Sequence, residues 1–212
     1  MQLSSGRRGL RVCLAALGFA AIAAAPAHAK SSIANPYDCK PDPTLTQPFA
    51  PFGDLGLYTP VANAGVEAGA TSWSLADGAA VVAGNEPWRI GGAADSHSLD
   101  LPAGSSAVTA PICIDETYPY FRTFALNAGS AKRSLEIDVL YYDTKGKLLN
   151  TKPYGYESDA TTWQPTPTIA IEVFNKKPGV AAAPVAFRFM PKGKDAHFRI
   201  DDVYVDPYSR AR

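Results

Sequence analysis

After residue 30 no segment keeps apolar residues at i, i+3, i+4 and i+7 over three turns, so an amphipathic helix has no place to form. The apolar residues alternate instead. Across 134–142, Leu135, Ile137, Val139 and Tyr141 share one phase, while Glu136 and Asp138 share the other. Asp143, Thr144, Lys145 and Gly146 then read as a hairpin turn into a strand over 147–151. Further short strands are expected over 57–61, 71–75, 79–83, 96–101, 118–126, 168–174, 184–190 and 196–205, with at most a single helical turn near 107–112. Period-two alternation broken by turn residues at this spacing predicts an all-β fold, an antiparallel two-sheet β-sandwich. Doubly wound α/β folds and their nucleotide sites are excluded. Gly91-Gly92 and Gly104-Ser105-Ser106 read as turns, and no Gly-rich loop leads into a helix.

The first thirty residues carry targeting chemistry. Arg7, Arg8 and Arg11 form a cationic start, Val12 to Ala25 is apolar, and Ala27-His28-Ala29 ends the run with small residues where a signal peptidase reads. The apolar run is well short of the ~20 residues a membrane helix needs. A retained anchor is the alternative. A signal peptide over 1–29, cleaved after Ala29, is the expectation, and it places the protein outside the cell. Arg7-Arg8 also half-matches a twin-arginine pattern. Cleavage removes three of the 20 basic residues and none of the 20 acidic ones, leaving a net charge of −3. A mildly acidic chain without basic runs has no electrostatic footprint for nucleic acid. No later segment is apolar enough to span a membrane.

Cys13 leaves with the signal, and Cys39 and Cys113 remain as an even pair in an oxidising compartment. A disulfide is expected, with two buried thiols as the alternative. The segment 30–46 is a Pro-rich extended lead-in, which the disulfide would pin to the body. Residues 47–212 form the sandwich domain, of a length that supports one full core.

The last strand holds a contradiction. Phe198 and Ile200 occupy one phase of the pleat, Val203 and Val205 the other, and the switch falls across Asp201-Asp202. A regular strand cannot bury all four, so a bulge at the aspartates is predicted. Adjacent carboxylates repel unless they are exposed, hydrogen-bonded or metal-bound. Far upstream, Glu67 sits in a turn flanked by Gly65 and Gly69, where backbone carbonyls can approach closely. If the two segments meet, Glu67 and Asp201 can clamp one hard cation such as calcium, which takes oxygen ligands. The alternative is that Asp201 and Asp202 are solvated or paired with Arg199.

Val66-Glu67-Ala68-Gly69 followed by Trp73, then Trp163, then Ile200-Asp201-Asp202-Val203 resembles the pattern of jelly-roll carbohydrate-binding modules of the galactose-binding-domain-like superfamily. Val66 stands where Phe is usual. The runs Val82-Ala83-Gly84-Asn85-Glu86-Pro87-Trp88 and Leu101-Pro102-Ala103-Gly104-Ser105-Ser106 are similar to those of a set of secreted actinobacterial proteins of unknown activity. The resemblance covers most of 47–207. It implies a jelly roll with a structural calcium site, in which Glu67 and Asp201 are side-chain ligands and Asp202 a further one.

Sugar rings stack on flat aromatic faces with polar groups at the rim. Trp88, Tyr142, Tyr154 and Tyr156 are the candidate platforms, while Trp73 and Trp163 are assigned to the core or its edge. Ordinary half-buried strand tyrosines are the plainer reading. Catalysis has little to work with. His97 and His197 are the histidines left after cleavage, and no Gly-x-Ser-x-Gly elbow, His-Glu-x-x-His helix or Cys-His pair is present. Acid pairs such as Asp138 with Asp143, or Glu157 with Asp159, cannot be set the ~5–9 Å apart that a glycosidase requires from sequence alone. The expected function is a secreted, non-catalytic, carbohydrate-binding-module-like protein that recognises a polysaccharide or cell-wall glycan. A structural or interaction protein on the same scaffold is the alternative, and a small secreted hydrolase a third.

Overall fold

The computed structural model describes the protein at residue 39 and over residues 44–115, 120–130, 132–171 and 182–206. The expected signal segment 1–29, and the lead-in 30–46 apart from residues 39 and 44–46, lie outside the described residues. Every described residue belongs to one unit, Ala34–Arg212.

The strands are β1 Thr59–Pro60, β2 Trp73–Ala76, β3 Ala80–Ala83, β4 His97–Pro102, β5 Ser106–Thr109, β6 Ile112–Asp115 and β7 Tyr120–Asn127. They continue as β8 Arg133–Tyr142, β9 Leu148–Ser158, β10 Gln164–Pro165, β11 Ile169–Ala170, β12 Ala182–Lys192 and β13 His197–Asp206. Among the described residues one 3-10 turn, Ala50–Phe52, accompanies them. The strands form two antiparallel sheets. The seven-stranded sheet runs β10-β7-β13-β4-β3, with β1 on β13 and β11 on β7; the six-stranded sheet runs β2-β5-β12-β8-β9, with β6 on β12. This is a jelly-roll β-sandwich.

Alternation decides what lies between the sheets. Leu135, Ile137 and Val139 of β8 are fully buried and Tyr141 nearly so. They meet Phe187 and Phe189 of β12 and, across the sandwich, Phe121 of β7 and Leu99 and Leu101 of β4. Phe121 and Phe187 bring their ring centres to 4.6 Å, joining the two sheets at mid-core.

The outer face of the seven-stranded sheet carries a second, smaller cluster of Phe49, Tyr58, Phe124 and Tyr204, with Phe52, Ile90 and Trp163 packed on it. Segment 46–58 roofs this cluster and is tied down by paired backbone bonds between Thr46 and Tyr58 at 2.8 Å. Arg122 lies over the Phe49 ring at 4.2 Å and bonds Asp54 at 2.7 Å. Cys39 and Cys113 form a disulfide across a separation of 74 residues. Among the described residues no helix is long and apolar enough to cross a membrane.

Three local expectations need revision. The helical turn near 107–112 is replaced by β5 and β6, because Val108, Thr109, Ile112 and Ile114 are β-branched and β5 is paired on both sides, by β2 and β12. The strand after the 143–146 turn runs on to Ser158, past Pro153. Proline is tolerated there because β9 is an edge strand. The 168–174 strand is reduced to Ile169–Ala170, and residues 172–174 lie outside the described residues.

The switch of phase in β13 is resolved by a bulge. The register against β7 shifts between Asp201 and Tyr204, and Asp202 takes φ 53°. Phe198, Ile200, Val203 and Val205 are all fully buried as a result.

Candidate functional site

The bulge turns two carboxylates into the protein. Asp201 and Asp202 are 2% and 1% exposed, and two further acids, Glu86 and Asp95 from the loop between β3 and β4, are 0% and 1% exposed beside them. One carboxylate oxygen from each of Glu86, Asp95 and Asp202 lies within 4.8 Å of the others. Asp201 joins this group through the same neighbour. A Cβ built on Gly65 would meet Asp202 Oδ1 at 3.1 Å, Asp95 Oδ1 at 3.5 Å and Asp201 Oδ1 at 3.6 Å, so three acids converge on one point.

Local backbone chemistry brings these pieces together. The turn at 63–69 is wrapped by the Asn63 side chain, whose Nδ2 donates to the carbonyls of Gly69 at 2.9 Å and Thr71 at 2.8 Å. Trp73 Nε1 donates to the Asn63 carbonyl at 2.9 Å. Val61 N–H donates to Val203 O at 3.0 Å and Val203 N–H to Ala64 O at 3.4 Å, which seats the turn on the bulge. Asn63, Val66 and Asp202 all have φ between 53° and 55°. For a buried β-branched residue such as Val66 this is a strained conformation, of a kind that gathers at functional sites.

Glu86, Asp95 and Asp201 have support from backbone donors. Glu86 accepts the N–H of Trp88 and, at 2.5 Å, that of Ile90. Asp95 accepts the Gly91 N–H at 3.3 Å. Asp201 accepts those of Asp202 at 2.9 Å and Glu86 at 3.3 Å. Asp95 Oδ1 and Asp202 Oδ2 are buried without any partner. Among the described residues no Lys, Arg or His pairs with these four acids. Arg199 turns instead to the carbonyls of Ala83 and Gly84 and to Ser98. Burial, then the negative charges of Asp202 and Asp95, push Asp201 up to about 9. Burial, then Asp95 and Glu86, push Asp202 up to about 8. Burial raises Asp95 to about 6. Four buried acids without a counter-charge are an unfavourable arrangement, and a bound cation would relieve it.

Of the three acids singled out in the sequence, Asp201 and Asp202 lie in this cluster. Glu67 stands at its margin, close enough for its carboxylate to raise Asp95 and Asp202. Its carboxylate accepts the Ser96 N–H at 2.8 Å, the His97 N–H at 2.7 Å and the Ser96 hydroxyl at 2.9 Å, and it pairs with His97 Nδ1 at 2.9 Å. Desolvation opposes its ionisation, yet these bonds hold it down at about 2. Glu86 and Asp95 were not singled out. Their one signal is their place at the two ends of a loop rich in Gly and Pro.

The four candidate sugar platforms do not share a surface. Tyr154 and Tyr156 stand opposite Ile137 and Leu135 in the β8–β9 register, and both pack on the main core. Trp88 is 40% exposed and rests on Phe52 and Phe124, on the outer face of the seven-stranded sheet. Tyr142 lies on the outer face of the other sheet. There it borders a groove of about 300 Å³ with Ser72, Trp73, Ser74, Val108, Thr109 and Ala186. Further along the same face Arg188 pairs with the buried Asp138, and Lys192 with Glu136 at 2.8 Å. Of the histidines, His97 pairs with Glu67, and His197 with Asp100 at 2.8 Å.

Neither a family model nor a curated protein matches this sequence. Solved structures do resemble the chain. A family 61 carbohydrate-binding module in complex with β-1,4-galactotriose is 15% identical, with a TM-score of 0.41 over 69% of this chain and 97% of that one. The family 11 carbohydrate-binding module of Clostridium thermocellum, in complex with a β-1,3-1,4-mixed-linked tetrasaccharide, is 12% identical, with a TM-score of 0.43 over 70% and 95%. An arabinose-bound family GH51 α-L-arabinofuranosidase is 15% identical, with a TM-score of 0.49 over 74% of this chain, which spans only 28% of that enzyme. At these identities the likeness describes the jelly-roll fold alone.

Proposed function

We propose that this is a secreted, non-catalytic glycan-recognition protein whose sandwich is held together by a structural calcium ion. The observation that carries the reading is the groove on the outer face of the six-stranded sheet. Tyr142 and the edge of Trp73 supply aromatic surface, Ser72 and Ser74 supply hydroxyls, and Val108 and Ala186 supply apolar floor, while Thr109 is buried with its hydroxyl accepting the Phe187 N–H. Aromatic surface edged by hydroxyl donors and acceptors is the chemistry that recognises a sugar ring. None of the lining side chains is charged, which suits a neutral sugar of a polysaccharide or cell-wall glycan. The disulfide fits an oxidising compartment outside the cytoplasm.

The residues of the acid cluster fit calcium. The donors are all oxygen, and two buried carboxylate oxygens have no partner. Glu86, Asp95, Asp201 and Asp202 would hold the ion. When bound it would supply the counter-charge these acids lack, tying the β3–β4 loop to the closing strand.

Retention of the purified chain on insoluble polysaccharides, with a glycan array alongside, tests the reading. Retention on at least one polysaccharide, weakened in Tyr142→Ala, supports it. Failure on every polysaccharide and every array glycan would turn the reading towards an interaction protein on the same scaffold.

A further inference from the structure

The loop from Gly84 to Ser96 hangs on two carboxylates. Glu86 receives the backbone N–H groups of Trp88 and Ile90, and Asp95 receives that of Gly91. Those two acids are half of the buried cluster, facing Asp201 and Asp202 with no cationic side chain between them. Trp88 sits at the outer turn of the loop, 40% exposed. Its indole meets Phe52 edge-on at 4.7 Å and Phe124 at 5.6 Å, and Ile90 packs on the same aromatic group. The carboxylates that would hold the ion therefore also hold the backbone that presents the indole. Without a cation, the acids either repel or take up protons, and neither draws the two ends of this loop onto β13. With a cation, those ends are drawn onto β13.

We infer that cation occupancy of the cluster sets the position of Trp88, and that Trp88 is a cation-dependent stacking face for a sugar ring, on the opposite side of the sandwich from the Tyr142 groove. The class of ligand rests on the glycan reading above. The coupling rests on the hydrogen bonds from Trp88 and Ile90 to Glu86. A partly exposed indole offers the aromatic face on which a sugar ring stacks, and its loop also carries Asn85 and Arg89, whose side chains donate to the carbonyls of Glu86 and Ala93. By linkage, sugar bound at Trp88 must in turn tighten the cation.

Calcium titrated into the chelator-treated full-length protein, followed by tryptophan emission and acrylamide quenching, tests the coupling. The expected result is a calcium-dependent change in the wild type that is strongly reduced in Trp88→Phe, any remainder belonging to Trp73, whose Nε1 donates to the Asn63 carbonyl. In Glu86→Gln the same change should need roughly tenfold more calcium. An equal change in Trp88→Phe, an unshifted midpoint in Glu86→Gln, or no response to calcium overturns the coupling. Polysaccharide retention of Trp88→Ala, with and without calcium, tests the sugar face. Weaker retention than the wild type in calcium, and equal retention in chelator, is expected. Retention equal to the wild type in calcium overturns the sugar face, while loss in Tyr142→Ala alone leaves the groove reading standing. If the wild type is retained on nothing, the glycan reading and this sugar face fall together, and the emission titration still decides the coupling. Capture of Trp88 by an apolar peptide in place of any sugar likewise overturns the sugar face.

Discussion

The α-carbon of Gly65 points at Asp202: a methyl group built there would lie 3.1 Å from Asp202 Oδ1, and within 3.6 Å of oxygens of Asp95 and Asp201. The glycine leaves open the point on which the acids converge. Gly65→Ala should therefore weaken calcium binding by at least tenfold, about 1.4 kcal/mol, with little change in the stability of the chelated protein. Calorimetric titration with calcium, beside thermal melts in chelator, measures both. Wild-type affinity in the variant would mean that the ion is not held there.

The Cys39–Cys113 disulfide closes a long loop, with a separation of 74 residues. Replacing both cysteines by serine should lower stability by about 4 kcal/mol. For a domain of this size that is roughly 10 °C in melting temperature. Urea unfolding of the double variant against the wild type gives the figure, and a difference under about 1 kcal/mol would show that the unfolded state is not constrained by this loop.

Asp138 is 2% exposed and depends on Arg188, which donates to it through both Nε and an Nη. Arg188→Met leaves that carboxylate buried and unpaired, and should cost about 2 kcal/mol. Adding Asp138→Asn should restore much of the loss, because the charge then leaves with its partner. A chemical-denaturation cycle over the four proteins checks this, and strict additivity would count against the pairing.

Desolvation works against ionisation of Asp54, yet the Tyr58 hydroxyl at 2.6 Å, the Gly56 N–H and Arg122 together hold its carboxyl below the usual aspartate value. A folded-state value below the unfolded one stabilises the fold above the unfolded value, near pH 4, and that contribution is lost as the pH falls through the folded value. Carboxyl NMR titration of Asp54 should show a midpoint below the ordinary range that climbs in Tyr58→Phe. An ordinary midpoint in the wild type would mean that the network does not form in solution.

How much of this was legible in the sequence depended on how local each signal was. The 134–142 alternation fixes β8, because a strand facing a core must place every second residue inward. The bulge at Asp201-Asp202 was legible for the same reason, since the apolar phase changes across it. Tyr154 and Tyr156 lie on the inward side of their strand. Pro153 and Gly155 interrupt the alternation of β9, so the sequence did not show which face the register with β8 would bury. Glu86 and Asp95 were not legible at all. Acids in a Gly- and Pro-rich loop are ordinarily solvated, and only the closure of that loop over the β13 bulge buries them. Glu67 was singled out from its turn, but its partners Ser96 and His97 lie about thirty residues on and gave no local sign.

Glycan recognition at the Tyr142 groove is open to one direct measurement, affinity electrophoresis in gels cast with soluble polysaccharides. The predicted result is that at least one polysaccharide slows the wild type, while Tyr142→Ala runs in that gel as it does without sugar. Equal mobility of the two proteins in every gel would contradict it.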